Sequence, residues 1–259
     1  MNFSLEQVPA RATKPREAGL TMVMDKGLSI RQAEDMVESS SEFVDLVKIG
    51  FGSAYVTPNL EKKIAVFHAA KIPVYFGGTL LEAFIIRKKF NDYLRLIEKF
   101  KLRYAEVSDG SISLDHDKKL EYIRTLSKHV TVITEVGSKE EGIIIHPNKW
   151  IDMIESEMQA GAWKVIAEAR ESGTVGIYRP SGKAHVVLIN KILSKIPAKN
   201  IIWEAPTKGG QTYFIKLLGA DANLGNIAPT EVIALESLRL GLRSDTFFQF
   251  LNHKPVKQS

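Results

Sequence analysis

The chain has 259 residues, of which 44% are hydrophobic and 25% charged, a balance typical of a globular protein with a sizeable core. It contains no cysteine, which excludes disulfides, a thiolate nucleophile and cysteine-ligated zinc. The net charge of +5 comes from interleaved lysines and glutamates, so we expect a solvated surface and no nucleic-acid groove.

Residues 1–18 are predicted to form an irregular leader. This segment has no apolar core and carries five charged residues, which is unlike a signal peptide. No apolar run in the chain approaches the ~20 residues that a membrane helix needs. We therefore expect a cytoplasmic protein with no membrane partner.

Eight short apolar segments, many of them rich in β-branched residues, are predicted as strands. They lie at residues 20–24, 43–49, 72–76, 104–107, the first half of 130–139, 163–167, 200–203 and 222–224. Several of them run directly into a carboxylate, a glycine and a basic residue, as in the sequence VTVITEVGSK at 130–139. This pattern is typical of a strand that delivers chemistry at its carboxyl end.

Helix start signals follow the predicted strands. Ser29 and Gln32 have the spacing of a capping box, and Pro58 and Pro147 suit the first position of a helix. Asp115 is a candidate amino-terminal cap for the helix after strand four.

Further helices are predicted from their apolar spacing. A single long helix is expected over residues 81–101, and another over about 230–242. Two more follow the turns at 181–182 and 209–210. Residues 243–259 are expected to form a short docked helix and a basic tail.

Strands and helices alternate strictly through eight units. Right-handed crossovers make such strands parallel, and eight units at this length most economically close into a single-domain (β/α)8 TIM barrel over residues 19–242. The alternative is an open doubly wound sheet. No GxGxxG motif follows strand one, and the charged strand ends are spread along the whole chain, which favours the barrel because a ring of strands brings them together.

Candidate catalytic residues lie at the carboxyl ends of the strands, where barrel enzymes place their active sites. Charged side chains at these ends are Asp25, Lys26, Lys48, Glu106, Asp109, Glu135, Lys139, Glu168, Arg170, Glu204 and Lys208.

Four of these residues are glutamates at matching positions. Two unit charges ~5 Å apart at an effective dielectric constant of about 20 repel by roughly 3 kcal/mol, so the cluster needs cations. Carboxylate oxygens without cysteine or clustered histidine suit Mg²⁺ or Mn²⁺. The alternative is that the glutamates form ion pairs that stabilise the barrel interior.

An anion site is predicted after strand seven. Lys208, Gly209 and Gly210 offer a cation and bare backbone amides at a helix amino terminus, where barrels often bind phosphate. Gly77-Gly78-Thr79 is a second candidate, although glycines also serve ordinary turns.

Six motifs together resemble the phosphosulfolactate synthase family. They are GLTMVMDKGL at 19–28, VKIGFG at 47–52, VYFGGTL at 74–80, EVSDG at 106–110, EVGSK at 135–139 and EARESG at 168–173. The resemblance spans about residues 15–242. It implies a (β/α)8 barrel that adds sulfite to phosphoenolpyruvate with Mg²⁺, gives (2R)-O-phospho-3-sulfolactate for coenzyme M biosynthesis, and assembles as a homo-oligomer.

The resemblance also implies roles for individual residues. Sulfite would attack the terminal carbon, and a metal held by Glu106, Glu135 and Glu168 would stabilise the aci-carboxylate that develops. Lys139 would protonate the carbon that bears the phosphate, with Lys48 as second choice.

Substrate binding is expected from the other strand-end residues. Arg170 and Lys208 would hold the anionic groups, and Arg170 can do so bidentately. The substrate-binding set is Arg170, Lys208, Gly209, Gly210, Asp25 and Lys26.

Two alternatives to this function remain at the level of sequence. The family is similar to a plant heat-stress-associated protein, which suggests a non-enzymatic, stress-related barrel. A related enzyme could apply the same enolate chemistry to another phosphorylated acid. The many charges at one barrel mouth favour an enzyme, since a purely structural barrel does not need them.

Overall fold

Eight parallel strands form one sheet in the computed structural model, which describes residues 2–137, 145–169, 176–179 and 181–252. Strands β1 to β8 span Thr21–Asp25, Leu46–Ile49, Val74–Phe76, Tyr104–Val107, Thr131–Val136, Ala162–Ala167, Ile201–Glu204 and Leu224–Ile227. Their order in the sheet is β3-β2-β1-β8-β7-β6-β5-β4. The two ends of this order, β3 and β4, follow each other in sequence, so the sheet curls into a nearly closed barrel. The predicted (β/α)8 barrel is confirmed, and the open doubly wound alternative is wrong.

Helices alternate with the strands along the described chain. Helices α1 to α9 span Ile30–Ser40, Leu60–Ala69, Gly78–Ile86, Phe90–Lys99, His116–Leu126, Pro147–Gln159, Val186–Leu193, Lys208–Leu218 and Val232–Arg239. The capping box of Ser29 and Gln32 is present, and Asp115 and His146 cap α5 and α6 with their side chains. None of the helices in these ranges is long and apolar enough to cross a membrane.

The single long helix predicted over 81–101 is wrong. The chain forms α3 and α4 there, with Lys88 between them in the left-handed region at φ 56°. This turn sets the Phe84 and Tyr93 rings 5.6 Å apart. The Lys88 amide donates to the Ile85 carbonyl at 2.9 Å and the Lys89 amide donates to the Phe84 carbonyl at 2.8 Å. These two bonds close α3, although the apolar period of the sequence continues through the break.

Other element boundaries shift by a few residues. Helix α2 begins at Leu60 because Asn59 adopts φ 52°, which a helix start at Pro58 would not allow. Strand β8 starts at Leu224, since the Asn223 side chain accepts the Leu20 amide and donates to two carbonyls on the β7 side. Gly209 and Gly210 lie within the first turn of α8, which Thr207 caps.

The leader, residues 2–18, contains no helix or strand and packs on the amino-terminal end of the barrel. Arg11 forms an ion pair with Glu236 at 2.8 Å and donates to the carbonyls of Gly19 and Ala220. Arg16 pairs with Asp45 at 2.9 Å. These contacts fasten the leader across the amino ends of the strands and leave the carboxyl ends clear.

Residues 243–252 form successive turns rather than the predicted short helix. Thr246 donates its hydroxyl to the Leu238 carbonyl, and the partly buried Phe250 packs on the core. Phe247 and Phe248 are half exposed.

The barrel interior is filled by an apolar layer below the carboxyl ends of the strands. This interior layer consists of Met22, Leu46, Tyr75, Ile133, Ile166 and Ile202. Gly225 is required beside it, because a Cβ there would lie 2.7 Å from Met22 Cε and 3.0 Å from Ile202 Cγ2. This packed layer closes the barrel interior below the carboxyl ends of the strands.

Candidate active site

Four glutamates and one lysine lie above the interior layer, at the carboxyl end of the barrel. Glu106, Glu135 and Glu204 come from β4, β5 and β7, and Glu168 follows β6 directly. Lys48 comes from β2. All five side chains are buried. The predicted convergence of the charged strand ends is therefore present in the fold.

Lys48 is the cation at the centre of this cluster. Its Nζ lies 2.9 Å from Glu106 Oε2, 3.6 Å from Glu135 Oε2 and 3.9 Å from Glu204 Oε1. Burial lowers the pKa of Lys48, but the three carboxylates outweigh burial and raise the pKa above its ordinary value. A lysine held charged in this way is a poor proton donor at neutral pH, and its positive charge balances part of the negative charge of the glutamates.

Glu204 is a buried carboxyl group with a raised pKa. Its Oε2 accepts the Ala169 amide at 2.7 Å, and its backbone carbonyl accepts the Tyr178 hydroxyl at 3.0 Å. Burial, and then the charge of Glu135, raise the pKa of Glu204 to about 8, although Lys48 opposes them. Glu204 therefore holds a proton near neutrality unless another cation replaces it.

Glu106 lies where the two edge strands of the sheet, β3 and β4, meet and close the barrel; we call this line of contact the seam. Its Oε1 accepts the Gly78 amide at 2.7 Å while its Oε2 faces Lys48. A Cβ on residue 78 would lie 2.1 Å from Ser108 Oγ, so glycine is needed for this close approach. Glu82 continues the seam, because it accepts the Ser108 hydroxyl and the Ser111 amide.

Glu135, Glu168 and Glu204 form the metal-like grouping among the described residues. Each offers one oxygen, and these oxygens lie within 4.8 Å of one another. Oxygens around an octahedral Mg²⁺ lie about 3 to 4.2 Å apart, so the three carboxylates fit such an ion after a small closure. Glu106, which the sequence analysis assigned to the metal, has both oxygens occupied by Gly78 and Lys48.

Gly137 allows this grouping to form. It has φ +144°, and a Cβ there would lie 2.5 Å from Glu168 Cβ and 2.9 Å from a Trp150 ring carbon. The end of β5 thus passes directly against the Glu168 side chain.

Asp25 is occupied with its own loop. Its Oδ1 accepts the amides of Gly27 and Leu28, both at 2.7 Å, and its Oδ2 pairs with Lys63 at 2.6 Å. Lys26 is exposed on the loop that Asp25 fixes. Both carboxylate oxygens of Asp25 therefore have protein partners, in its own loop and in Lys63.

The predicted anion residues after β7 border a cleft of about 740 Å³. Gly209 and Gly210 line it together with Arg179, Lys183 and Tyr178. The Tyr178 hydroxyl lies 2.3 Å from where a Gly210 Cβ would stand, so the cleft adjoins the Glu204 backbone. Lys208 is half exposed and pairs with Asp245 at 3.0 Å. The predicted residues Lys139 and Arg170 lie outside the described residues.

Sequence reasoning did not assign roles to Tyr75, Tyr178 or the basic pair of the cleft. Burial, and then Glu106, Glu204 and Glu135, raise the pKa of Tyr75 well above its ordinary value, which puts its hydroxyl close beneath the carboxylates. Tyr75 follows the period-two pattern of β3, but nothing in that pattern distinguishes a tyrosine under a charged cluster from one in an apolar core. Arg179 and Lys183 could have been found from the sequence, because two basic residues flank the turn at Gly182 and such a pattern is compatible with an anion site.

The raised pKa of Glu204 predicts a pH dependence of stability in the metal-free protein. The folded state holds this proton more tightly than the unfolded state does, so the resulting stability is full below about pH 4.5 and is lost as the pH rises through about 8. Relative to Glu204→Gln, the wild type should lose about 1.4 kcal/mol per unit of pKa shift across that window. Urea unfolding of both proteins at several pH values measures the difference. A difference that does not change with pH would contradict the assignment.

Comparison with known proteins adds the family context. The sequence profile of the family described as (2R)-phospho-3-sulfolactate synthase (ComA) matches residues 9–245. The chain is 41% identical over 250 residues to a phosphosulfolactate synthase of Bacillus subtilis, covering 95% of this chain and 99% of that protein. It is 36% identical over 244 residues to one from Methanothermobacter thermautotrophicus, covering 92% and 95%.

Solved structures with the same fold are far more distant in sequence. A 3-hexulose-6-phosphate synthase from Salmonella typhimurium matches with a TM-score of 0.56 at 12% identity, covering 86% of this chain and 100% of that one. A 3-keto-L-gulonate-6-phosphate decarboxylase from Vibrio cholerae matches with a TM-score of 0.54 at 10% identity, covering 90% and 99%. These likenesses concern the barrel alone.

Proposed function

Because the chain belongs to the phosphosulfolactate synthase family, we propose that it catalyses the Mg²⁺-dependent addition of sulfite to phosphoenolpyruvate to give (2R)-O-phospho-3-sulfolactate. The observation that best supports this chemistry is the group of three buried glutamates, with oxygens within 4.8 Å of one another, beside Lys48. An enzyme of this kind is classed as a carbon–sulfur lyase, and the proposed reaction is the addition that forms the carbon–sulfur bond.

Glu135, Glu168 and Glu204 would hold the metal ion. When bound, Mg²⁺ supplies positive charge where the substrate carboxylate gains electron density. Glu204 would give up its proton on loading, since the ion replaces the charge that the proton balanced. Glu106 stays with Gly78 and Lys48 and keeps the ammonium of Lys48 in place.

The basic groups around this mouth suit the substrates, which are all anions. Lys48 is charged and buried beside the carboxylates, so it offsets part of their repulsion toward an anionic substrate. Arg179 and Lys183 line the adjoining cleft with the amino terminus of α8 at Gly209 and Gly210, and we propose that the phosphate lies there. Arg170, Lys208 and Lys26 remain proposed anion contacts.

The reaction joins one carbon–sulfur bond and one carbon–hydrogen bond. The sulfite lone pair attacks the terminal CH2 carbon of phosphoenolpyruvate, and the double-bond electrons move onto the carboxylate. The second carbon, which bears the phosphate, then takes a proton, and we propose Lys139 as its donor. The phosphate ester stays intact. Both reactants are anions, so the positive charges of Lys48 and of the bound metal ion would hold them in a fixed geometry in which water is largely replaced.

A rate assay with a chelator tests this proposal. Consumption of phosphoenolpyruvate should require sulfite and Mg²⁺ together, and excess chelator should lower the rate by at least about 10²-fold, because preorganised charge at a developing oxyanion contributes that much. Restoring Mg²⁺ should restore the rate, which separates metal removal from damage to the protein. Full activity in excess chelator would refute the role of the metal.

A further inference from the structure

A second buried charge cluster lies behind β5, between α5 and α6. Lys119 and Glu157 are both fully buried and pair at 2.8 Å. Lys119 Nζ also lies 3.0 Å from Asp109 Oδ1 and donates to the Glu135 carbonyl at 2.6 Å. A lysine ammonium has three N–H donors, and the three acceptors account for all of them.

The bond to Glu135 completes the edge of the sheet. Strands β4 and β5 pair up to Val107 opposite Thr134. The Val136 carbonyl accepts the Glu168 amide on the β6 side, so the Glu135 carbonyl faces the β4 side, where no further strand residue follows. The ammonium of Lys119 takes the place of that missing rung.

The same ammonium joins the end of β5 to the turn after β4. Asp109 lies in the turn after β4, and its side chain is 22% exposed, whereas Lys119 is fully enclosed. Lys119 thus fixes the end of β5, the turn after β4 and helix α6 to one another. Glu135 carries its carboxylate into the barrel mouth from a backbone held by this contact.

We propose that Lys119 is a positioning residue for Glu135, and that Glu157 holds Lys119 in place for that purpose. The inference rests on the proposed function, since it takes Glu135 as a metal ligand. Stability alone gives little reason for such a pair, because replacing a buried ion pair with apolar residues of similar volume is often neutral or stabilising. The pair is instead expected to hold a metal ligand in position. Loss of a residue that holds a metal ligand in place typically weakens metal binding ~10- to 100-fold.

The test uses the double variant Lys119→Met/Glu157→Leu, which removes both buried charges and keeps the volume. Mn²⁺ is the probe, because free and bound Mn²⁺ are counted directly by electron paramagnetic resonance. We expect Mn²⁺ to bind ~10- to 100-fold more weakly than to the wild type. The urea unfolding midpoint should also fall, because the buried Glu135 carbonyl loses its donor, and the control below separates that loss of stability from the loss of Mn²⁺ affinity. With the proposed substrates, the apparent KM for Mg²⁺ should rise above that of the wild type. At saturating Mg²⁺, kcat should be closer to the wild-type value than KM is.

Lys164→Met is the matched control. Lys164 is also buried and donates to backbone carbonyls, those of Glu17 and Lys199, but at the amino end of β6. Its loss should change stability and leave Mn²⁺ affinity as in the wild type. If the double variant does not fold, Glu157→Gln serves instead, with an expected severalfold loss of Mn²⁺ affinity.

The outcomes separate the two claims. Wild-type protein that binds no Mn²⁺ would overturn the metal site and this inference with it. Wild-type protein that binds Mn²⁺, together with a folded variant of equal affinity, would overturn the positioning role alone. Equal weakening in Lys164→Met would also overturn it, since the effect would then be one of general stability.

Discussion

Replacing Lys139 by alanine is expected to reduce turnover to the background rate, a loss of about 10²–10⁴-fold, without changing the unfolding midpoint. The reaction needs one proton at the carbon that bears the phosphate. The lysine within the described site, Lys48, is held charged by three carboxylates, so it is poorly suited to give a proton away. Lys139 follows Glu135 and Gly137 in sequence and is the proposed donor. Steady-state rates with saturating substrates measure the effect.

Lys149→Ala is the matched control for this variant. Lys149 is ten positions further along the chain and is exposed on α6. Its removal changes the net charge by the same amount and should leave kcat and KM unchanged. Wild-type activity in Lys139→Ala would remove Lys139 from the mechanism.

Replacing Lys48 by methionine is expected to destabilise the metal-free protein by about 3–5 kcal/mol near pH 8. The substitution leaves Glu106, Glu135 and Glu204 buried together without the cation that lies within 3.9 Å of all three. The loss should be smaller near pH 5, because protonation removes part of the repulsion. Urea unfolding at both pH values gives the two free energies.

Two further variants make this result specific. Adding Glu106→Gln to Lys48→Met should recover part of the stability, since glutamine can still accept the Gly78 amide and carries no charge. Lys118→Met removes a lysine from a solvent-exposed pair with Glu121 and should barely change the stability, because water screens such a pair. A loss of that small size for Lys48→Met itself would mean that the cluster does not depend on its lysine.

The barrel could be predicted because its signals are local. Each strand is an apolar run that ends in polar residues, and each repeat adds a helix with recognisable caps, as at Ser29 and Asp115. The matching positions of Glu106, Glu135 and Glu204 within their runs placed all three at one end of the barrel. Because strands and helices alternate, the strands form a barrel whose carboxyl ends share one rim, so the three glutamates come together even if the exact pairing of the strands is not known.

The features that could not be predicted depend on tertiary contacts. The break between α3 and α4 carries no glycine or proline; Lys88 has a positive φ at a helix end that the Lys89 amide closes by donating to the Phe84 carbonyl. The grouping of Glu135, Glu168 and Glu204 could not be read from the sequence, because it depends on the contacts that the Gly78 amide and Lys48 make with Glu106. The Lys119–Glu157 pair joins two helices 38 positions apart, and each member alone resembles a surface charge on a helix.

The most direct test of the synthase assignment is phosphorus NMR of the purified protein with phosphoenolpyruvate, sulfite and Mg²⁺. The account predicts a new phosphate-ester signal that appears only when sulfite and Mg²⁺ are both present, with no release of inorganic phosphate. Samples without sulfite, and samples with excess chelator, should keep the phosphoenolpyruvate signal alone. An unchanged spectrum from folded protein in the complete mixture, or a signal for free phosphate in place of the new ester, would contradict the proposed reaction.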